Sequence, residues 1–154
     1  MPLQRLFFLT AMIFTATPGF ALSPEAEEGK AFYPACNVCH DAEQTPPLGP
    51  PMWGVQNRYR KASTDDAEFV SKMVAFVKSP SMESALMHNP VKELGLMPPL
   101  PLPDEMLKKI AAYILEENFP PPCTHWEFAV KRATEQGDMA HAKKDQKKFD
   151  KFCK

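Results

Sequence analysis

The chain has 154 residues, of which 44% are hydrophobic and 24% are charged. This apolar content suffices for one compact domain and is unlike the composition of a disordered protein. The formal net charge is -1, from 18 Lys and Arg against 19 Asp and Glu. A nucleic-acid binder is therefore disfavoured, because it needs a basic surplus to neutralise phosphates. There are 17 prolines, about twice the ordinary share, and the four cysteines are too few for a disulfide scaffold.

The first segment, residues 1–21, is predicted to be a secretory signal peptide. A basic residue precedes an apolar run from Leu6 to Ala16, and the small residues Gly19 and Ala21 follow where a signal peptidase reads the chain. An uncleaved membrane anchor is disfavoured, because this run is far shorter than the roughly 20 residues that span a bilayer. We expect a mature chain without a membrane span, exported to the periplasm if the source is a Gram-negative bacterium.

The next feature is the motif C-x-x-C-H, formed by Cys36, Cys39 and His40. This spacing is the attachment signature for c-type haem. Each thiol can add to one vinyl group of the porphyrin, and the adjacent imidazole is then held beneath the iron. We predict one haem c bound through Cys36 and Cys39, with His40 as the proximal ligand.

Two other interpretations of the motif remain open. A thioredoxin-like redox pair needs a buried strand before C-x-x-C, whereas the Glu-rich lead-in 23–35 is typical of a helix. A zinc site needs two further ligands, but His88, His125 and His141 are scattered along the chain and are interpreted as surface or core residues.

A helix is predicted where apolar residues recur at helical spacing, after a run of Ser, Thr and Asp at 63–66 that can cap it and before Pro80. Its apolar residues are Phe69, Met73, Phe76 and Val77. A second helix begins after Pro103, with acidic residues in its first turn. Its apolar residues are Met106, Ile110, Tyr113 and Ile114. No strict apolar/polar alternation occurs, so we predict an all-α fold.

The loop between these helices contains the candidate for the second axial ligand of the iron. Met97 precedes two prolines, which fix φ and bias the residue before them toward an extended backbone. A neutral thioether binds iron weakly and therefore needs a rigid backbone. We predict Met97 as the ligand, with Met87, His88 and Met82 as alternatives; ligation by His88 would lower the potential, because Met/His ligation raises it.

The C-terminal segment, residues 119–154, is predicted to be a helical hairpin broken near Gly137. It carries eight basic and five acidic residues, whereas residues 22–118 carry nine and fourteen. Cys123 and Cys153 bracket the segment and are expected to form a disulfide in an oxidising compartment. In the chain-entropy model, this bond would stabilise the folded segment by roughly 3 to 4 kcal/mol. Its lysine face is either a docking surface for an acidic partner or, as we favour, a solvated face. The residues expected on one helix face are Trp126, Val130 and Ala133, and those expected on the other are Phe149, Phe152 and Cys153.

Residues 25–118 resemble the class I cytochromes c, small soluble electron carriers with one haem. The haem motif, the Gly49–Gly54 segment G-P-P-M-W-G, similar to the family's G-P-x-L-x-G loop, and Met97 before a closing helix occur in the family's order. The resemblance implies a cytochrome c-like helical haem domain over 22–118. It further implies that the Pro50 carbonyl accepts the N–H of His40 and fixes its tautomer.

The same resemblance places Arg58 near a haem propionate, where its fork of donors suits a carboxylate; the alternative is a solvated surface arginine. Met52 replaces the usual Leu, a volume-conserving change. Gly29 stands three residues before Phe32, where the family tends to have four. In the family, the spacing of four accompanies packing of the first helix against the last helix, and this chain departs from that spacing. The resemblance still places Tyr113 against the first helix.

These features predict a periplasmic electron carrier rather than an enzyme, either free or as a subunit of a redox complex, that docks transiently on redox partners. The alternative is haem-based binding of small ligands, or peroxidase-like activity, if Met97 does not bind the iron. A third possibility is an assembly factor whose haem only stabilises the fold. The single C-x-x-C-H excludes a dihaem peroxidase in one chain.

Overall fold

The computed structural model describes residues 21–154, so all but the last residue of the predicted signal peptide lies outside the described part. Over these residues the chain forms eight α-helices and no strand, which confirms the predicted all-α class. The helices are α1 (Pro24–Phe32), α2 (Pro34–His40), α3 (Met52–Ala62), α4 (Asp66–Lys78), α5 (His88–Leu94), α6 (Asp104–Glu116), α7 (Cys123–Glu135) and α8 (Met139–Phe152). None of these described helices is long and apolar enough to cross a membrane.

Helices α1 and α6 cross in direct backbone contact at Gly29. A Cβ atom at this position would lie 1.9 Å from the carbonyl oxygen of Lys109. The aromatic ring that meets α6 is that of Tyr33, 5.0 Å from Tyr113 between ring centroids, whereas Phe32 is 41% exposed. The aromatic residue of this crossing is therefore Tyr33, four positions after Gly29, rather than Phe32, because a side chain four positions on lies one helical turn further along the same face.

The core lies between α1, α3, α4 and α6. Phe69 and Met73 of α4 are buried, and Ile110, Tyr113 and Ile114 of α6 are buried with them. The helical spacing of these apolar residues predicted this packing. Asp65 begins α4 by accepting the backbone N–H of Glu68, so the predicted capping segment is confirmed.

The carboxyl end of α6 is held by a buried side chain from α3. The Nε2 group of Gln56 donates to the carbonyl oxygens of Ile114 and Glu117, both at 2.6 Å, and Gln56 is only 5% exposed. Arg60 donates to the neighbouring carbonyl of Leu115. The last carbonyls of a helix have no partner within it, and α3 therefore supplies the donors that α6 lacks.

The variant Gln56→Leu is expected to lower the free energy of unfolding by about 1 to 3 kcal/mol, because it leaves buried carbonyls without a donor. Chemical denaturation followed by circular dichroism measures this loss. Asn57→Ala is the matched control, since the Asn57 amide bonds only to the Trp53 carbonyl within its own helix. Equal stability of the Gln56 variant and the wild type would contradict the capping role.

Helices α7 and α8 form the predicted hairpin, which turns at Gly137 with φ of 76°. The sulfur atoms of Cys123 and Cys153 lie 2.06 Å apart and close its open end. Trp126 and Ala133 are buried on the inner face of α7, while Val130 is half-buried. We refer to α7 and α8, with their disulfide, as the C-terminal hairpin.

Candidate functional site

A cavity of about 270 Å³ brings together most of the predicted site residues. Cys36, Cys39 and His40 line it from α2, Pro50 lines it from the loop before α3, and Met97 lines it from the loop before α6. The rest of its lining is mainly apolar and includes Val74, Val77, Leu107, Ile110 and Ile114. We call this space the central cavity.

The two thiols reach the central cavity because α2 is helical. Residues three apart lie on one face of a helix, so Cys36 and Cys39 point the same way. Pro34 is the first residue of α2, a position that proline favours, and the helix therefore includes both cysteines. Both thiols are free; Cys36 is half-buried and Cys39 is exposed. Burial raises the pKa of the Cys36 thiol.

The imidazole of His40 is oriented by one hydrogen bond. Its Nδ1 lies 2.7 Å from the carbonyl oxygen of Pro50, and since a carbonyl only accepts, Nδ1 carries the proton. Burial lowers the pKa of His40, although the Pro50 bond opposes this shift. The neutral ring therefore keeps its lone pair on Nε2, which is the form that binds a metal ion.

The loop before α3 lies flat against this imidazole at Gly49. A Cβ atom there would be 2.9 Å from the carbonyl oxygen of Cys39 and 3.3 Å from the His40 ring. Only glycine permits so close an approach of the backbone. The G-P-P-M-W-G segment thus positions its second residue, Pro50, over Nδ1.

Met97 is half-buried on a loop that is tied to α4. The N–H of Leu100 donates to the carbonyl oxygen of Val77 at 3.0 Å, and Lys78 pairs with Asp104 at 2.6 Å. These contacts fix the loop on the side of α4 that borders the central cavity.

Of the alternative ligands, Met87 also lines the central cavity. Met82 and His88 do not line it, and Met82 is 41% exposed. Two further methionines of the lining, Met52 and Met73, are buried on helices as parts of the core. Of the three predicted alternatives, Met87 is therefore the one that shares the central cavity with Met97.

Arg58 is not brought to the central cavity. Its side chain is exposed, and Nε donates to the carbonyl oxygen of Leu86 at 2.7 Å. It lines the neighbouring groove described below. The propionate contact of Arg58 stays a prediction.

The groups of the central cavity fit the covalently attached haem that the motif predicts. Two free thiols share one helix face, a neutral imidazole keeps Nε2 available, a thioether lies on a restrained loop, and apolar walls suit a porphyrin. In residues 21–154, no group of three or more His, Cys, Asp and Glu side chains is arranged so that it could hold a metal ion. A helix, α1, precedes the motif in place of the strand that the thioredoxin-like interpretation requires.

A groove of about 840 Å³ lies between the C-terminal hairpin and helices α3 and α5. His88, His125 and His141, scattered in sequence, all line it. The buried carboxylate of Asp145 bonds to His141 Nε2 at 2.9 Å and to Lys148 Nζ at 2.6 Å. These bonds satisfy the buried charge within α8 itself.

Sequence reasoning missed the contact that joins the hairpin to α3. The ring of Trp53 lies 5.3 Å from that of Trp126 and 5.4 Å from that of Phe152, centroid to centroid. Trp126 and Phe152 are themselves 5.9 Å apart, and we call the three rings the aromatic cluster. The one available signal was that the chain has only two tryptophans, one beside the Pro50 loop and one in the hairpin.

No protein-family model matches this chain, and neither a curated protein nor a solved structure shows significant similarity to it.

Proposed function

We propose that this chain is an exported c-type cytochrome with one haem, which carries electrons between redox proteins and does no bond chemistry on a substrate. The observation that supports this most is the convergence of Cys36, Cys39, His40 and Met97 on the central cavity, with Pro50 bonded to the imidazole. A haem bound there would supply the one-electron Fe(III)/Fe(II) couple. The cytochrome c-like identity of helices α1 to α6 is part of the same proposal.

Each residue of the cavity has a role in this proposal. Cys36 and Cys39 hold the porphyrin covalently, which retains it in an exported protein. Nε2 of His40 and the thioether of Met97 would bind the iron, and the Pro50 carbonyl would hold the proton on Nδ1 of His40 in either oxidation state. The mainly apolar lining would limit contact between the haem and water, so little rearrangement would accompany electron transfer.

Redox partners are proposed to dock where the cavity opens. Cys39 and Leu48 line the cavity and are exposed, with Leu48 at 55%, and Val38 beside them is 66% exposed. A small apolar surface of this kind suits the weak, transient interfaces of electron-transfer complexes. Electrons would enter and leave the haem through this exposed surface.

Covalent haem attachment is the first test. The full chain, produced in a bacterium that exports and matures c-type cytochromes, is expected to retain haem on a denaturing gel and to begin after Ala21 by mass spectrometry. Replacing both Cys36 and Cys39 by Ser should abolish the haem signal completely, because no thiol then remains to bond the vinyl groups.

The control replaces the other cysteine pair, Cys123 and Cys153, by Ser and should retain the haem. A wild-type chain without haem, or with haem that acidic solvent extracts, would refute the proposal. A chain with haem whose reduced form binds carbon monoxide without displacing a ligand would favour the small-ligand alternative.

A further inference from the structure

The C-terminal hairpin contacts both ends of the loop that holds His40. This loop, residues 41–51, joins α2 to α3 and carries the Pro50 carbonyl; we call it the proximal loop. Near its start, the hydroxyl of Thr124 donates to the carboxylate of Glu43 at 2.6 Å. Just past its end, on the first turn of α3, Trp53 enters the aromatic cluster.

The hairpin residues that make these two contacts are neighbours of the disulfide. Thr124 directly follows Cys123, and Phe152 directly precedes Cys153. The bond between the cysteines therefore joins the two contact points to each other. Without it, only non-covalent contacts, such as that of Phe152 with Trp126, would hold the end of α8 to the start of α7.

The proximal loop has few means of holding itself in place. Four of its eleven residues are prolines, which have no backbone N–H to donate, and no helix forms between 41 and 51. The Pro50 carbonyl nevertheless lies within 2.7 Å of His40 Nδ1. The hairpin adds contacts from outside the loop, at Glu43 near its start and at Trp53 just past its end.

We propose that the disulfide-closed hairpin clamps the proximal loop, and that Trp53 is the positioning residue through which it holds the Pro50 carbonyl on the His40 imidazole. The redox consequence rests on the proposed function. A hydrogen bond at Nδ1 raises the basicity of a ligating histidine, which favours ferric over ferrous iron. The hairpin is thereby a device that sets the reduction potential, in addition to stabilising the fold.

The variant Trp53→Leu tests the clamp, because it removes the ring but keeps an apolar side chain. Two readouts are expected to change. The first is hydrogen exchange of the His40 Nδ1–H, followed by NMR in the diamagnetic reduced protein. This exchange should accelerate by at least about tenfold, because each 1.4 kcal/mol by which the closed state is destabilised is a factor of ten in the opening equilibrium. The redox equilibrium against a reference couple should shift several-fold toward the ferrous form.

Rescue and control variants separate positioning from general stability. Trp53→Phe retains ring contacts and should recover most of the slow exchange. Phe128→Leu alters an aromatic residue of α7 outside the aromatic cluster and should change neither readout. Phe152→Ala, at a residue already 40% exposed, gives a second test of the cluster if Trp53→Leu fails to fold.

Replacing Cys123 and Cys153 by Ser should reproduce the changes seen in Trp53→Leu. Combining the Ser replacements with Trp53→Leu should add little further change to either readout, because both act on the same clamp. The clamp is refuted if Trp53→Leu and Phe152→Ala keep their haem, the wild-type exchange rate and the wild-type potential. If the wild-type chain carries no haem, the proposed function fails. In that case, hydrogen exchange of the His40 Nδ1–H in the haem-free chain tests the clamp independently of the proposed function.

Discussion

Reduced Met97→Ala protein is expected to bind carbon monoxide stoichiometrically at neutral pH, whereas the wild type binds none. In the proposed site, removal of the thioether leaves the iron with His40 as its single side-chain ligand, and an open coordination position binds small ligands. The oxidised variant should also lose the weak near-red band that arises from sulfur-to-iron charge transfer. Optical titration of both oxidation states measures the two effects.

The choice among methionines is decided by two matched variants. Met82→Ala removes a thioether that is 41% exposed and outside the central cavity, and it should keep the wild-type spectrum. Met87→Ala removes the remaining alternative inside the cavity, and it should also keep the near-red band. Carbon monoxide binding by Met87→Ala but not by Met97→Ala would assign the ligand to Met87.

The local parts of the site could be predicted from sequence because short-range geometry determines them. A helix places residues three apart on one face, so C-x-x-C-H alone predicts that Cys36 and Cys39 share a side. The contact between His40 and Pro50 spans only ten residues and follows from the resemblance of the Gly-Pro segment to a known loop. Neither requires knowledge of how distant helices pack.

The contacts of the C-terminal hairpin could not be predicted in the same way. Its two helices and their turn at Gly137 follow from local patterns, but the helical period says only that Trp126 faces inward. The ring it meets, that of Trp53, belongs to another part of the chain, 73 positions earlier in sequence. A pairing between distant elements depends on tertiary placement, which apolar periodicity does not encode.

Arg58 shows the same limit for a polar residue. Its position four residues after Gly54 agrees with the family pattern, yet its Nε bonds to the Leu86 carbonyl. That carbonyl lies 28 residues further along the chain and carries no sequence signature. Spacing alone therefore does not specify the partner of a long, flexible side chain.

Among the glycines of residues 21–154, Gly29 is the one where replacement by alanine is expected to lower stability most. The added Cβ would lie 1.9 Å from the carbonyl oxygen of Lys109, an atom of the α6 backbone that no side-chain rotation can move. Helices α1 and α6 would have to separate, which would disturb the buried residue Ala26, at 0% exposure, and the contact of Tyr33 with Tyr113. Overpacking of this kind typically costs about 1 to 3 kcal/mol, and sometimes more.

An opposing term favours alanine, since it is a better helix former than glycine by about 1 kcal/mol. Gly54→Ala measures that term alone, because its Cβ would meet only the Met87 methyl at an ordinary 3.8 Å; it should leave stability unchanged or slightly raised. We expect Gly29→Ala to lose about 3 kcal/mol of unfolding free energy, at the upper end of the overpacking range, measured by chemical denaturation of both variants. Since α6 also lines the central cavity, the Gly29→Ala protein should also retain less haem than the wild type. If Gly29→Ala were as stable as Gly54→Ala, the close crossing of α1 and α6 would be refuted.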